Sequence, residues 1–185
     1  MWNLLKALLL LAVPLAIFYA GGYAMSCLSG REVTRGLPRD DPRTPLNLRA
    51  TGYDAEAVAA NWNTMDEARL TQERTFLEVD LVFPFLYGGA FLAALLLGWA
   101  MVGRPFAAWW LVLPVALVVV ADWTENLVHL AQLERWTALG REPATALLST
   151  GWIRLASVAT TVKICASGGV LVLLLYLAVR VATDR

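Results

Sequence analysis

Four long apolar stretches constrain this sequence more than any other feature. They run from Leu4 to Met25, Phe76 to Val102, Phe106 to Leu133 and Trp152 to Val179. A helix needs about 20 apolar residues to cross the ~30 Å hydrocarbon core of a bilayer. All four stretches are that long. The sequence therefore predicts an all-α membrane protein with four transmembrane helices, a multi-pass protein of the cell membrane.

Composition agrees with this class and limits the others. The chain has 185 residues, of which 58% are hydrophobic, and its formal net charge is zero. That length predicts a single domain, a four-helix transmembrane domain over residues 1–185. Without a basic tract, no nucleic-acid partner is expected. Cys27 and Cys165 have no metal-ligand spacing, and no cofactor is indicated. The start up to Cys27 has the outline of a secretion signal, but its length favours an uncleaved first span.

A polar segment of about 50 residues, 28–75, separates the first two spans. Its first half contains Gly, Pro and charges without a hydrophobic period, which is typical of a loop. After Asp54, a favourable N-cap, Val58, Trp62 and Met65 recur at helical spacing. This pattern predicts a short amphipathic helix. Its apolar face could lie on the membrane surface or on the loop itself, and we expect the membrane surface.

The second span is expected to begin outside the membrane. Thr64 and Glu67 have the spacing of a capping box, so a helix would start there and enter the hydrocarbon near Phe76. Four spans would place both termini and the short turn at 103–105 on one side. Residues 28–75 and 134–151 would lie on the other, the loop side. Basic residues favour a cytoplasmic loop side and the signal-like start favours the opposite, so the orientation stays open.

The sequence DWTENLVH, residues 122–129, lies near the end of the third span. Asp122, Glu125, Asn126 and the single histidine, His129, follow one another at positions i, i+3, i+4 and i+7. In a helix these four side chains share one face. A charged residue at the centre of a membrane helix costs about 2.5–3.5 kcal/mol, so such a stripe needs a partner or a function.

Two other spans carry ionisable residues in the same half of the membrane. Asp80 lies near the start of the second span, and Lys163 lies in the fourth. The flexible side chain of Lys163 could reach Asp122. Pro84 leaves the carbonyl of Asp80 without its helical donor, which predicts a bend at Asp80. Close helix contact is predicted at four glycines, Gly88, Gly89, Gly168 and Gly169.

The main hypothesis is an ionisable pocket in the loop-side half of the membrane, which binds a lipid-like or amphiphilic molecule. Carboxylates in such a pocket can act as acid and base, so catalysis is possible in principle. The candidate catalytic residues are Asp122, Glu125 and His129, and the candidate ligand-binding residues are Asp80, Asn126, Lys163 and Trp123.

Structural interpretations compete at the same residues. Asp80, Glu125 and His129 would then be interface residues wetted by lipid headgroups, and Asp122 with Lys163 a buried bridge that fixes helix register. Trp123 is more often a packing residue than a pocket wall. A metal site is disfavoured because there is only one histidine. A proton path is disfavoured because the polar residues occupy only one half of the membrane.

An accessory or assembly subunit of a larger membrane complex is the alternative function. The predicted partners are accordingly the lipid bilayer, a lipid-like ligand, and a membrane protein or a second copy of the chain. In outline the chain resembles small four-span sterol-isomerase-like and ligand-binding membrane proteins, which also keep acidic residues in an intramembrane pocket. The resemblance is limited to the architecture and the acidic second and third spans, and implies no residue roles.

Overall fold

The computed structural model describes residues 2–30, 41–103, 109–140 and 147–183. These ranges form six helices and contain no strand. The helices are α1 (Trp2–Ser29), α2 (Ala55–Asn63), α3 (Glu67–Val79), α4 (Phe83–Met101), α5 (Val112–Ala138) and α6 (Thr150–Thr183). Within the described ranges α1, α4, α6, and α5 with the 3₁₀ turn before it are long and apolar enough to cross a membrane. The predicted all-α class with four such helices is therefore confirmed.

The predicted second span is divided into two helices. The chain leaves helical geometry at Asp80, after α3, and α4 begins at Phe83 with Pro84 in its first turn. Proline is tolerated there because the first turn of a helix has no intrahelical acceptor for its N–H. The break occurs at the predicted place, although a continuous helix from Phe76 to Val102 is wrong.

The start of α3 also differs from expectation. Asp66, rather than Thr64, is the N-cap, and its carboxylate accepts a hydrogen bond from the backbone N–H of Arg69 at 2.8 Å. The hydroxyl of Thr64 instead donates to the carbonyl of Asn61 at the end of α2, at 2.7 Å. The predicted capping box with Glu67 is therefore wrong, because an aspartate two residues later supplies a stronger acceptor.

The main apolar core lies between the four long helices. Leu10 of α1, Leu95 of α4, Val118 of α5 and Leu177 of α6 are all at most 5% exposed and belong to one cluster. A Cβ atom on Gly98 of α4 would meet Leu177 at 3.2 Å, so α4 and α6 approach each other closely here. The core thus joins α1 and α6 at the end of the bundle that contains both chain termini.

Only one of the four glycines predicted to allow close helix contact does so. A Cβ atom on Gly88 would lie 2.6 Å from Val119 of α5, closer than packed atoms approach. At Gly89, Gly168 and Gly169 the same test meets nothing within 4 Å. The prediction is confirmed at Gly88 and wrong at the other three, which face open space.

A second core lies at the opposite end of the bundle, where α2 packs. Val58 and Trp62 of α2 are 0% and 1% exposed, against Trp136 of α5 and Ile153 of α6. Asp54 caps this helix as predicted, accepting from the N–H of Ala57 at 2.8 Å. The apolar face of α2 therefore rests on the protein, and the expectation that this face lies on the membrane surface is wrong.

Residues 41–53 form an irregular strap across the same end of the bundle. Within the strap, the Arg49 guanidinium donates to the carbonyls of Asp41 and Thr44 at 3.0 and 3.2 Å. The strap is attached to α6, because the backbone N–H of Tyr53 donates to the hydroxyl of Ser157 at 2.8 Å. Backbone groups that cannot pair in a helix thus find side-chain partners.

Candidate functional site

An ion cluster joins α5 and α6 inside the bundle. The ammonium of Lys163 lies 2.8 Å from Oδ1 of Asp122, and it also contacts the carboxylate of Glu125. Asp122 and Glu125 are 4% and 0% exposed. The expected reach of Lys163 towards Asp122 is therefore observed, and one ammonium neutralises two neighbouring carboxylates only in part.

Tyr87 of α4 completes the surroundings of Asp122, although the sequence analysis did not single it out. Its hydroxyl donates to Oδ2 of Asp122 at 2.7 Å, and the residue is 2% exposed. Both oxygens of Asp122 are thus occupied by donors from α4 and α6. The signal available in the sequence was a tyrosine within a long apolar helix, because the hydroxyl of a buried tyrosine needs a polar partner.

Asp80 lies beside this cluster, at the break between α3 and α4. Its backbone carbonyl accepts from Nδ2 of Asn126 at 3.4 Å. The same amide nitrogen lies 3.5 Å from Oδ1 of Asp122, so Asn126 links the two aspartates. Because Pro84 has no N–H, the carbonyl of Asp80 lacks its helical donor, as predicted. Asn126 on the polar face of α5 donates to it instead.

A cavity of about 740 Å³ opens next to the cluster, between α1 and α6. Asp80, Asp122 and Lys163 lie on its wall, as the pocket hypothesis requires. Glu125, Asn126, His129 and Trp123 do not line it. Six aromatic side chains contribute much of the remaining wall, and they are Phe18, Tyr19, Tyr23, Phe76, Phe83 and Tyr87.

The strap and residues within α1 and α6 form further parts of the cavity wall. Pro45, Leu48 and Ala50 of the strap lie over one end of it. Gly22 of α1 and Gly168 of α6 are on the wall and have open space where a Cβ would be. Ala7 and Leu10 of α1 share a core with Leu174 and Leu177 of α6 towards the chain termini, and the cavity lies between the two helices nearer the strap.

His129 belongs to a separate polar group beneath the strap. Its Nε2 lies 2.9 Å from the hydroxyl of Tyr53, which is also 3.0 Å from the hydroxyl of Thr160 on α6. Burial raises the pKa of the Tyr53 phenol, so this hydroxyl remains neutral. Tyr53 was not anticipated, because the sequence does not tell which part of a polar loop returns to the bundle.

Burial excludes one of the alternatives considered above. Asp80, Glu125 and His129 are at most 4% exposed. Side chains wetted by lipid headgroups would be open to solvent instead. That interpretation is wrong for all three, because α2, α3 and the strap cover this end of the bundle.

Trp123 lies on the other side of α5 from the cavity. Its indole N–H donates to the carbonyl of Leu81 at 2.9 Å, and its ring contacts that of Phe85 edge-on, with centroids 4.5 Å apart. The indole therefore satisfies a second backbone carbonyl at the α3–α4 break. Trp123 therefore packs against the α3–α4 break and does not line the cavity.

The arrangement gives no sign of a metal centre within the described residues. There, no group of three or more His, Cys, Asp or Glu side chains is placed to hold a metal ion. The carboxylates of the site are instead bonded to an ammonium, a phenol and an amide. The chemistry available at the cavity wall is that of hydrogen bonding, ion pairing and proton exchange.

Comparison with known proteins adds no further constraint. No protein-family model matches the sequence, and no curated protein or solved structure is significantly similar to it. Function must therefore be argued from the geometry described above.

Proposed function

We propose that this chain is a multi-pass protein of the cell membrane that binds a lipid-like or amphiphilic molecule in the cavity between α1 and α6. In this proposal α1, α4, α5 and α6 are the four spans. Residues 28–75, with α2 within them, lie outside the hydrocarbon. The polar head of the ligand contacts Asp80, Asp122 and Lys163, and its apolar part lies between the two helices.

One observation supports this proposal above all. A largely apolar cavity has its charged groups gathered on one part of the wall, the pattern expected of a site for a molecule with one polar end. Its size of about 740 Å³ lies within the range of small-molecule sites. A buried bridge that only fixed helix register would need no cavity beside it.

Catalysis belongs to the proposal in a narrower form than the sequence suggested. Only Asp122 of the three candidate catalytic residues touches the cavity. Glu125 does not line the cavity but contacts Lys163, which does. His129 also does not line it and is hydrogen-bonded to Tyr53. Proton transfer to a bound molecule would therefore involve Asp80 or Asp122, with Glu125 and His129 as supporting residues.

Native mass spectrometry of the protein released from mild detergent tests the proposal. We expect a small molecule to be retained at one per chain. Asp122→Asn removes the charge that holds Lys163 towards the cavity, and should lower the retained fraction about tenfold, the effect of losing one good polar contact. Glu134→Gln is the matched control, because Glu134 lies on the same helix with a half-exposed side chain, and should retain the molecule fully.

Two results would count against the proposal. If the parent protein and Asp122→Asn retained the small molecule equally, the ionic cluster would have no part in binding it. A chain that carries no small molecule but holds a protein partner in fixed stoichiometry would support the accessory-subunit alternative instead.

A further inference from the structure

The charges around the cavity do not balance within the protein. Asp80, Asp122 and Lys163 lie on the cavity wall, and the Lys163 ammonium is paired with Asp122 and with Glu125 behind the wall, so three carboxylates are accompanied by one ammonium. No other basic side chain lines the cavity in the described part of the chain. Leaving a charge buried without a counter-charge is strongly unfavourable, so an additional positive charge or a proton is required here.

Asp80 is the carboxylate of the three that has no ion pair among the described residues. Lys163 is bonded to Asp122 and Glu125, and Tyr87 fills the second oxygen of Asp122. The hydrogen-bonding neighbour of Asp80 is the neutral amide of Asn126. Among the described residues no basic side chain forms an ion pair with Asp80, which nevertheless lies on the cavity wall at 4% exposure.

The wall near Asp80 offers a second attraction for a cation. Phe18, Phe83 and Tyr87 form a contiguous aromatic group, with ring centroids 5.1–6.2 Å apart. All three rings line the cavity. The faces of aromatic rings attract ammonium groups, more strongly where water is excluded, and repel anions.

From these two observations we infer that the ligand of the cavity is a cationic amphiphile, whose ammonium head pairs with Asp80 beside the aromatic group and whose hydrocarbon part lies between α1 and α6. This inference rests on the proposed function and specifies the charge of the ligand. Anionic headgroups are excluded by the surplus carboxylate. A neutral head would leave Asp80 to be neutralised by a proton.

Titration with three amphiphiles of equal chain length tests the inference. The probes are dodecylamine, which is protonated at pH 7, dodecanol and dodecanoate, added to the protein in phosphatidylcholine nanodiscs, with empty nanodiscs as the blank. Calorimetry should show dodecylamine binding about tenfold more tightly than dodecanol, and dodecanoate most weakly. Equal binding of amine and alcohol, or a preference for dodecanoate, would overturn the inference while leaving the proposed function intact. If none of the three binds above the blank, both are overturned.

Variants locate the effect. Asp80→Asn should weaken dodecylamine binding about tenfold and leave dodecanol binding unchanged. Glu78→Gln makes the same change of charge two residues away, on a side chain that is 48% exposed and paired with Arg74, and should change neither. An equal loss of dodecylamine binding in Glu78→Gln would overturn the assignment to Asp80.

A second variant keeps the test decisive if Asp80→Asn fails to fold. Phe18 belongs to the aromatic group and lines the cavity, but it is 36% exposed and outside the buried core, so Phe18→Leu should leave the fold intact. Removing this ring should weaken dodecylamine binding more than dodecanol binding. Equal weakening of both would contradict an aromatic contribution to ammonium binding.

Discussion

At the scale of single residues, Lys163 holds the polar centre of the bundle together. It is the partner of two carboxylates on α5, and its own side chain is only 14% exposed. Tyr87 and Asn126 add hydrogen bonds to the same carboxylate of Asp122. The cost of burying these charges is offset only while every member is present, because each remaining charge would otherwise be unpaired.

We expect Lys163→Met to destabilise the protein by about 3–5 kcal/mol, the cost of breaking a buried ion pair from one side. Two carboxylates would then be buried without a cation. The midpoint of thermal unfolding in detergent measures the change. Arg154→Met, at an exposed position of the same helix, should leave the midpoint almost unchanged.

A triple variant separates the loss of charge pairing from the loss of packing around Lys163. Combining Lys163→Met with Asp122→Asn and Glu125→Gln removes the unpaired charges and should recover part of the lost stability. If the triple variant is as unstable as Lys163→Met alone, the loss comes from packing of the lysine stem instead.

At the scale of helices, α2 acts as a cover for the polar end of the bundle. Its tryptophan, Trp62, lies between Trp136 and His129, with ring centroids 5.6 and 6.5 Å away. The strap that precedes α2 supplies Tyr53 to His129 and lies over the cavity. Displacing α2 would therefore expose the polar group formed by Tyr53, His129 and Thr160.

Trp62→Ala should destabilise the protein by about 3–5 kcal/mol, the usual cost of removing a large buried aromatic side chain. Trp152→Ala is the control, because Trp152 is 55% exposed and outside both cores. Unfolding in detergent followed by tryptophan fluorescence distinguishes them. An equally small effect of Trp62→Ala and Trp152→Ala on stability would contradict the packing of α2 on the bundle.

At the scale of the whole molecule, the position of the cavity follows from how two helices meet. The core joins α1 to α6 near the chain termini, where Ala7 and Leu10 pack with Leu174 and Leu177. Nearer the strap both helices line the cavity, and Gly22 of α1 and Gly168 of α6 leave open space on its wall. The space between them is therefore open, while the ionic cluster closes its inner side.

Filling this gap should block binding without harming the fold. Gly168→Leu places a side chain in the cavity, where nothing lies within 4 Å of the new Cβ. Gly169→Leu makes the same change at the next residue, which also faces open space but does not line the cavity. Both variants should gain helix stability similarly, by up to about 1 kcal/mol.

The two variants should differ in the small molecule that co-purifies with the parent protein, as counted by native mass spectrometry. We expect Gly168→Leu to lose it and Gly169→Leu to keep it. Equal retention by both would show that the gap between α1 and α6 is not where the molecule binds.

Much of this molecule could be predicted from the sequence because the signals are local. Four apolar stretches of sufficient length predict four long helices, and the i, i+3, i+4, i+7 spacing places Asp122, Glu125, Asn126 and His129 on one face. The N-cap at Asp54 and the break near Pro84 were equally readable. Each depends on neighbours within a few residues.

Local signals failed where two cap candidates stood close together or where a distant partner decided. Asp66, rather than Thr64, caps α3 because aspartate is the stronger acceptor, although both residue types satisfy the rule for an N-cap. The face of α2 could rest on lipid or on protein, and only the presence of Trp136 and Ile153 beneath it made the difference. Tyr53 and Tyr87 entered the polar groups from segments whose own sequence gives no direction for their hydroxyls.

The four apolar helices and the polar face of α5 follow from hydrophobicity and helical period, which are properties of the chain alone. The contacts of Lys163 with Asp122 and Glu125, the position of α2 over His129 and the cavity between α1 and α6 depend instead on tertiary packing. Those features depend on distances between segments far apart in the chain, which are set by how the helices pack rather than by any local pattern.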